Sequence, residues 1–411
     1  MPIKDGFWFY LEPYVFFEIK KEEVIIVNML DSSIIVNNDK RIIDIVSSLI
    51  KHKNAGVCYI SKADSQSQNI SGFISKIRSL YMGDLIPVNL APNKPMQFLP
   101  QIDFCKDDDC KKLARIYSSK SLNTLLKEVS IYVSGQCSTF CGYCSSYYKQ
   151  FSCCTKEIHG IMAVPELGQV LSKLSKSGIR KINLLCIQAL SKEYYKDFFK
   201  MLGTFKGIPL NIILNYKSLC PDNEFLLRES RLKITLIIDD SSINGELEKD
   251  FHLFSENTNF LFPLSSENYY DDIMNFVNKH NITDYKIIPA LNGHNKKIIT
   301  KLIYIRKKEI THSIEKKTIE LNKLLNCNFW GKFIILPNGD VLSDFYSKVR
   351  GNIFKDSIID LIDKEISLKD SFWLRTRNNT ICNKCVFQHL CPPPSNYELF
   401  LNKPAICFKY I

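Results

Sequence analysis

The stretch EVSIYVSGQCSTFCGYC, residues 128–144, joins a strand-like run to three closely spaced cysteines. Its first part contains Val, Ile and Tyr, which favour a β-strand. Cys137, Cys141 and Cys144 follow at once. In sheets built from alternating strands and helices, chemistry sits at the carboxyl ends of the strands. The stretch therefore predicts the first strand of a main sheet, followed by a loop that presents thiols to a ligand.

Short apolar runs and helical patterns alternate after this stretch. Strand-like runs occupy residues 128–135, 181–187, 209–215, 232–238, 259–265 and 285–291, and helical patterns occupy residues 165–176, 194–203 and 271–280. Such alternation is typical of βαβ units with a parallel sheet. We therefore predict an α/β fold in which a parallel sheet or partial barrel carries the three cysteines at its carboxyl edge.

The flanking regions have different patterns. Aromatic and β-branched runs between residues 7 and 36 predict strands, and residues 39–51 have helical spacing. The polar, Pro-containing residues 91–119 are typical of a linker. Residues 332–345, KFIILPNGDVLSDF, predict a β-hairpin with an Asn-Gly turn. We predict a small α+β domain at residues 1–95, the main domain at 96–300 and a third domain, organised by metal, at 301–411.

Composition narrows the class of protein. The chain has 411 residues, is 45% apolar and carries 54 Lys and Arg against 43 Asp and Glu, which gives a net charge of +11. The basic residues are spread along the chain without a Lys/Arg-rich block, which argues against nucleic-acid binding. No segment approaches the ~20 apolar residues that span a bilayer, and Lys4, Asp5 and Glu12 make the amino terminus unlike a signal peptide. We therefore expect a cytoplasmic protein that binds neither nucleic acid nor membrane.

Cysteine is abundant for a protein of a reducing compartment. Fifteen cysteines, an odd number, indicate free thiols, metal ligands or catalysis more than a disulfide frame. A cubane iron–sulfur cluster needs four thiolates to ligate every iron, so three thiolates leave one iron open to another ligand. The C-x3-C-x2-C spacing of Cys137, Cys141 and Cys144 predicts such a cluster. A zinc site that lacks one ligand and chance clustering are the alternatives.

This cysteine spacing, with Tyr143 just before the third cysteine, resembles the signature of the radical SAM superfamily. The resemblance implies a TIM-like partial (β/α)6 barrel whose three cysteines ligate a [4Fe-4S] cluster, with Tyr143 near the adenine of S-adenosyl-L-methionine. The open iron would chelate the amino and carboxylate groups of this cofactor. An electron from the cluster would then release a 5′-deoxyadenosyl radical, which removes a hydrogen atom from the substrate. Cys153 and Cys154 fit no ligand spacing and are interpreted as packed thiols.

A second group of four cysteines lies near the carboxyl terminus. Its members are Cys382, Cys385, Cys391 and Cys407. The spacing C-x2-C-x5-C-x15-C supplies four ligands, which are enough to close either a cubane cluster or a tetrahedral zinc site. Both kinds of site remain open at this point.

Together with Cys327, the second group resembles the SPASM domain that follows the barrel in peptide-modifying radical SAM enzymes. The full pattern of that domain has seven cysteines, which hold two auxiliary clusters. Asp344 and Ser395 stand at two of the seven positions, and both positions belong to the first auxiliary cluster. The resemblance therefore implies one auxiliary [4Fe-4S] cluster, fully ligated, and two clusters in the whole chain. Cys327 would be a remnant or a loose ligand.

The sequence segments around the cysteines narrow the resemblance to a smaller group of proteins. The segments WFYLEPYVFF, CGYCSSYYKQF, FWGKFIILPNGDV and CPPPSNYE are similar to SPASM proteins, some of them pseudo-radical-SAM proteins, of Bacteroidales-type peptide natural-product clusters. The superfamily places Gly-Gly-Glu after the second strand, where it binds the amino group of S-adenosyl-L-methionine. Cys186, Ile187 and Gln188 occupy that place, and a Gln carbonyl can accept from the ammonium without carrying a charge. Asp239 and Ser241, after the fourth strand, would reach the ribose; a surface turn is the alternative.

The amino-terminal module resembles the winged-helix element with which peptide-modifying enzymes add a leader peptide to a sheet edge. The alternative is a small domain that only packs against the barrel. Together the resemblances imply an enzyme that modifies a ribosomally synthesised precursor peptide, with the leader bound by residues 1–95. Because Gly-Gly-Glu is absent, a non-catalytic protein that binds the precursor peptide or a partner maturase is the alternative.

Overall fold

The computed structural model describes most of the chain. The described residues are 5–99, 125–135, 150, 158–187, 190–205, 207, 210–229, 232–239, 242–243, 245–254, 256–312, 314–403 and 405–409. Within these ranges, no helix combines the length and the apolar character needed to cross a membrane.

The amino-terminal region folds as a small α+β unit. Its elements are β1 (Gly6–Leu11), β2 (Val15–Lys20), β3 (Glu23–Asn28), β4 (Ile34–Asn37), α1 (Lys40–Leu49), β5 (Val57–Ser61), α2 (Lys62–Gln66), α3 (Gln68–Ser79) and β6 (Gly83–Pro87). The strands form two antiparallel sheets, with the orders β5-β1-β6 and β2-β3-β4. The helix expected at residues 39–51 is confirmed, and strands form between residues 7 and 36, but the run at 7–19, expected as one strand, forms two, β1 and β2.

The β2-β3-β4 sheet is buried on both faces. Successive side chains of a strand point to opposite faces, so neighbours in one strand can enter different cores. Val24 and Ile26 pack into the core of the amino-terminal unit, whereas Ile25 and Val27 pack against the cysteine-rich carboxyl-terminal region. This double burial explains why β3 is a continuous apolar run rather than an alternating one.

The central region supplies six neighbouring parallel strands of the main sheet. Its elements are β7 (Glu128–Tyr132), α4 (Val164–Ser175), β8 (Lys181–Leu185), α5 (Lys192–Leu202), β9 (Leu210–Asn215), β10 (Lys233–Ile237), α6 (Glu246–Asp250), β11 (Thr258–Leu264), α7 (Glu267–Lys279) and β12 (Tyr285–Pro289). The six strands are parallel and lie side by side in chain order. The predicted α/β class and parallel sheet are confirmed, and the partial-barrel closure stays a prediction.

The two faces of the main sheet differ. One face packs against the helices through residues such as Ile131, Leu184 and Ile212. The opposite face, which we call the second face, carries a chain of hydrogen bonds across neighbouring strands. Asn211 Nδ2 donates to Asn183 Oδ1 at 2.9 Å, and Asn183 Nδ2 donates to Glu128 Oε1 at 2.7 Å. These buried amides are satisfied by one another and tie β7, β8 and β9 together near their amino ends.

The carboxyl-terminal region extends the same sheet. Its elements are α8 (Lys296–Leu302), α9 (Lys307–Thr311), α10 (Lys316–Leu324), β13 (Lys332–Ile335), β14 (Asp340–Leu342), β15 (Gly351–Asn352), α11 (Ile358–Ser367) and α12 (Asn396–Phe400). β13 pairs with β7 in parallel, with Ile334 opposite Ser130, and gives a nine-stranded sheet of order β12-β11-β10-β9-β8-β7-β13-β14-β15. The third region is thus joined to the central region by strand pairing. The domain boundaries stay predictions.

The predicted hairpin at residues 332–345 is confirmed. β13 and β14 pair antiparallel, and Gly339 N donates to the carbonyl of Leu336 at 2.9 Å across the turn. Gly339 has φ 85°, a conformation that side chains with a Cβ rarely adopt. A Cβ at this position would also lie 2.4 Å from the Phe354 ring, so the turn requires glycine.

Candidate functional site

The parallel strands bring polar residues to one edge of the main sheet. Asn215 ends β9, Asp239 follows β10 and Ser265 follows β11, and all three residues are buried. Parallel strands end at a common edge, and in α/β folds ligands bind at this carboxyl edge. A ligand site is therefore expected at this edge.

Asp239 lies at this edge in a largely buried ion pair. Lys217 Nζ is 3.0 Å from Asp239 Oδ2, and Ser242 Oγ donates to Asp239 Oδ1 at 2.7 Å. Lys217 sits in a short turn (Tyr216–Ser218) that Asn215 Oδ1 caps by accepting its N–H at 3.0 Å. The Asp239 side chain is 5% exposed and that of Lys217 is 37% exposed, so the pair has a solvent-facing side. The ribose contact expected of Asp239 stays a prediction.

Cys186 has an unusual backbone conformation at the end of β8. Its φ is 60° and its side chain is fully buried. This left-handed conformation costs a residue with a Cβ about 1–2 kcal/mol, whereas glycine adopts it freely. Cys186 stands where the sequence resemblance places the first glycine of Gly-Gly-Glu. The backbone therefore has a shape suited to glycine at a position where the glycine is absent.

Described residues frame the stretch that carries the first cysteine group. Gly135, after β7, donates its N–H to the carbonyl of Gly160 at 2.8 Å. Gln150 exchanges two hydrogen bonds of 2.7 Å with the backbone of Leu291, just beyond β12. Both flanks thus lie at the carboxyl edge of the sheet. The predicted site residues Cys137, Cys141, Tyr143, Cys144, Gln188 and Ser241, together with Cys153 and Cys154, lie outside the described residues.

All four thiols of the second cysteine group are described and buried. Cys382, Cys385, Cys391 and Cys407 are 5 to 7% exposed, and each is a free thiol. Burial, together with the charges of the other three cysteines, raises the pKa of the Cys391 thiol to about 12, although Arg377 opposes the shift. Burial also raises the pKa of Cys385. The four thiols therefore lie in a poorly solvated place.

Buried amides fix the loop that carries these thiols. Asn322, on α10, donates from Nδ2 to the carbonyl of Cys391 at 3.1 Å. Asn326, which is fully buried, donates from Nδ2 to the carbonyl of Pro394 at 2.9 Å. An unsatisfied amide here would cost the desolvation of its polar atoms, so these contacts specify the path of the loop.

The donor set can be compared with the two kinds of metal site. Among the described residues, no three Cys, His, Asp or Glu side chains converge tightly enough to hold a metal ion. A single zinc bound by four thiolates at about 2.3 Å needs sulfurs roughly 3.8 Å apart. A [4Fe-4S] cluster is a larger body, whose thiolates bind separate irons. Four buried, free thiols supply the number and kind of ligands that a [4Fe-4S] cluster needs.

Asp344 and Ser395 stand where the SPASM resemblance expects two more thiols, and both residues take part in local hydrogen bonds. Asp344 is buried, and its Oδ1 accepts the N–H of Tyr346 at 2.9 Å while its Oδ2 accepts from Asn396 Nδ2 at 3.3 Å. Ser395 precedes α12, and its N–H donates to Glu398 Oε2 at 2.9 Å. The Asp344 carboxylate and the Ser395 backbone are thus used in local structure, and the single auxiliary cluster stays a prediction.

Cys327 gives a direct test of this interpretation. Cys327 is exposed, so its substitution by Ala should not disturb packing. Asp344 and Ser395 stand where the first auxiliary cluster of the SPASM pattern needs thiols. Cys327→Ala should therefore leave the iron and sulfide content of the anaerobically reconstituted protein unchanged. Metal analysis beside the unsubstituted protein measures the effect. A loss of about four irons would show that oxygen atoms complete a cluster site with Cys327.

The β2-β3-β4 sheet covers the loop of the second cysteine group. Phe16 belongs to the same buried cluster as Val386 and Phe387, between Cys385 and Cys391. Glu18 Oε2 lies 3.0 Å from His389 Nδ1. The amino-terminal unit therefore shields the loop from water and is attached to it by apolar and charged contacts.

The charged part of this attachment should depend on pH. Burial raises the pKa of the Glu18 carboxyl, but hydrogen bonds and charges from His389 and Lys20 outweigh burial and leave the pKa lowered. A carboxyl with a lowered pKa in the folded state stabilises that state above its ordinary pKa, and the stabilisation is lost as the pH falls through the folded-state value. We expect Glu18→Gln to cost about 1 kcal/mol of unfolding free energy at pH 7 and less at pH 3.

Urea unfolding of Glu18→Gln at both pH values measures this difference. Glu22→Gln, an exposed carboxyl in the turn after β2, is the matched control and should behave like the unsubstituted protein at both. An equal loss at pH 7 and pH 3 would show that the Glu18 charge is not what stabilises the contact.

Sequence reasoning missed three residues that structure brings to the site. Lys217 and Gln150 meet their partners from distant parts of the chain, and no local pattern marks them. Arg377 donates to Cys382 Sγ at 3.5 Å. A basic residue five positions before a C-x2-C pair was a signal that could have been followed.

Comparisons with known proteins give distant likenesses in structure. No protein-family model matches the chain, and no curated protein does. The fold is similar to that of Streptococcus suis SuiB bound to precursor peptide SuiA, with 14% identity, a TM-score of 0.45 and coverage of 97% of this chain and 100% of SuiB. SuiB bound to S-adenosylmethionine gives 15% identity, a TM-score of 0.45 and coverage of 96% and 97%. Native anSMEcpe with bound AdoMet and Cp18Cys peptide gives 14% identity and a TM-score of 0.44, with coverage of 65% of this chain and 88% of anSMEcpe.

Proposed function

We propose that this chain is a radical SAM-type iron–sulfur protein with a SPASM-type auxiliary cluster, and that it modifies a ribosomally synthesised precursor peptide. The observation that carries the proposal is a common anchor at the carboxyl end of β12. Gln150, in the segment that follows CSTFCGYC, binds the backbone of Leu291. Tyr397 Oη, in the region of the second cysteine group, donates to the carbonyl of Pro289 at 2.8 Å. A residue after the first cysteine group and a residue within the second thus attach to the same end of the sheet.

Seven thiols would hold the two [4Fe-4S] clusters. Cys137, Cys141 and Cys144 would ligate the first, and Cys382, Cys385, Cys391 and Cys407 the second. When bound, the first cluster would supply the electron that cleaves S-adenosyl-L-methionine and gives a 5′-deoxyadenosyl radical. The second cluster, with every iron ligated by protein, would relay electrons or stabilise the third region.

The residues of the sheet would orient the cofactor and exclude water. Near the carboxyl edge the second face is apolar and buried, with Tyr132, Leu185 and Ile213 side by side. A dry apolar wall protects a reactive radical from side reactions.

Beyond this wall, Asp239 and Ser241 would contact the ribose of the cofactor. Gln188 would contact its ammonium group and Tyr143 its adenine.

The substrate side of the proposal concerns the amino-terminal unit. Residues 1–95 would bind the leader of the precursor peptide as an added strand, since strands at sheet edges offer unpaired backbone donors and acceptors. β2 and β4 are the edges of one sheet of this unit, and β5 and β6 are the edges of the other. The partial (β/α)6 barrel would lie at residues 96–300 and the auxiliary-cluster domain at 301–411.

One observation favours a second candidate function. Cys186, Ile187 and Gln188 stand in place of Gly-Gly-Glu, so the charge-assisted contact to the ammonium is weakened. A protein that no longer cleaves S-adenosyl-L-methionine would bind the precursor peptide, or a partner maturase, without catalysis. The loss of one charged contact costs about 1.5–3 kcal/mol, roughly a ten- to hundredfold weaker affinity. We therefore expect the chain to bind S-adenosyl-L-methionine weakly rather than not at all.

Electron paramagnetic resonance of the reduced protein tests the proposal. S-adenosyl-L-methionine should perturb the spectrum of the first cluster, because an iron without a protein ligand accepts the amino and carboxylate groups. Cys141→Ala should abolish the perturbation, and Gln188→Glu should produce it at a lower cofactor concentration. A spectrum unchanged at saturating cofactor, in protein that holds both clusters, would favour the non-catalytic alternative.

A further inference from the structure

Arg377 is a buried cation that touches a thiol of the second cysteine group. The residue is 4% exposed, at the start of a short turn (Arg377–Asn379). Its Nη1 donates to Cys382 Sγ at 3.5 Å, and its Nε donates to the carbonyl of Pro392 at 2.6 Å. Burial of a cation is unfavourable unless anions and acceptors surround it, so its partners must account for its position.

Glu398 is the carboxylate partner of this cation. Its Oε1 accepts from Arg377 Nη1 at 2.9 Å, and the two side chains are 7% and 4% exposed. The other oxygen, Oε2, accepts the N–H of Ser395 at the start of α12. One guanidinium nitrogen, Nη1, thus donates both to a carboxylate and to Cys382 Sγ, so the two acceptors share its charge.

We propose that Arg377 and Glu398 set the reduction potential of the cluster held by the second cysteine group, with opposite signs. The inference rests on the proposed function, because it needs a cluster on these thiols. Arg377 would act on the cluster through Cys382, so it is a positioning residue and not a catalytic residue.

The physical reason is the charge that reduction adds. A one-electron reduction makes the cluster more negative, and a hydrogen bond from a cation to a ligand sulfur stabilises the reduced form. The poor solvation of this region strengthens the interaction. Glu398 draws the guanidinium charge away from the sulfur and adds a negative charge, so it stabilises the oxidised form.

Redox titration of the anaerobically reconstituted protein, followed by electron paramagnetic resonance, tests the inference. Arg377→Gln should lower the potential of the second cluster by at least a tenfold change in the one-electron equilibrium constant, about 59 mV. Glu398→Gln should raise it. A purely structural role would move both variants in the same direction or neither.

Arg375→Gln is the matched control. Arg375 lies two residues away, and its guanidinium stacks on the Phe372 ring, 5.5 Å from the ring centroid, instead of donating to a thiol of the described residues. Removing this charge should change the potential by much less than removing that of Arg377. An equal change would show that only the net charge of the region matters, which would overturn the inference.

The remaining outcomes separate the inference from the function on which it rests. If Cys382→Ala leaves the iron content unchanged, the second cluster does not exist and the proposed function fails in this part. If the cluster is present but neither variant shifts its potential, the inference alone is overturned. If Arg377→Gln fails to bind iron, the sign of the Glu398→Gln shift decides: an increase supports the inference, and a decrease or no shift overturns it.

Discussion

Replacing Arg350 by Met should lower the free energy of unfolding by about 3–5 kcal/mol. Arg350 Nε lies 2.6 Å from Glu365 Oε2, and the two side chains are 1% and 0% exposed. The contact is a charge pair without the alignment of a hydrogen bond. Glu365 Oε1 already accepts from Ser371 Oγ and from Trp373 N. Without Arg350, a fully buried carboxylate would lose the charge that balances it.

Chemical denaturation of two further variants distinguishes this effect from general damage. Arg350→Met with Glu365→Gln removes both charges, keeps an oxygen that can accept from Ser371 and Trp373, and should recover much of the loss. Lys364, on the same helix α11, is 47% exposed and forms an ion pair with Asp356. Lys364→Met removes this pair and should cost less than about 1 kcal/mol. A loss below about 1 kcal/mol for Arg350→Met would contradict the account of this buried pair.

Substituting Cys137, Cys141 and Cys144 together by Ala should remove about half of the iron bound after anaerobic reconstitution. Each cysteine group would hold one four-iron cluster, so the triple variant would retain the second cluster alone. Substituting Cys382, Cys385, Cys391 and Cys407 together should remove the other half. Iron and sulfide analysis of the three proteins measures the result.

Cys58→Ala is the control for this prediction. Cys58 is a buried free thiol of the amino-terminal unit, and its Sγ donates weakly to the carbonyl of Ile45 at 3.7 Å. Its removal should leave the iron content unchanged. Zinc in place of iron and sulfide would contradict the cluster assignment for both cysteine groups.

Local patterns in the sequence predicted the elements of the fold well. The strands of the central region, the hairpin at residues 332–345 and helix α1 depend on apolar periodicity and turn residues, which are local properties. Asp39, for example, precedes α1 and its side chain accepts the N–H of Arg41, as an N-cap does. Expectations of this kind need no knowledge of the distant chain.

Contacts between distant parts of the chain could not be predicted in this way. The pairing of β13 with β7, the packing of Phe16 near Cys385, and the ion pair of Lys217 with Asp239 each join residues that are remote in sequence or separated by a strand crossover. Periodicity states which face of an element is apolar but not which partner covers it. The sequence therefore indicates two cysteine groups, while the structure attaches Gln150, after the first group, and Tyr397, within the second, to the same end of the sheet.

The measurement that tests the central proposal most directly is the release of 5′-deoxyadenosine from S-adenosyl-L-methionine by the anaerobically reconstituted and reduced protein. The account predicts release by the unsubstituted chain, none by Cys141→Ala, and faster release by Gln188→Glu if Gln188 meets the ammonium. No release from protein that holds its full complement of iron and sulfide would contradict the enzyme proposal and leave the chain as a binding protein.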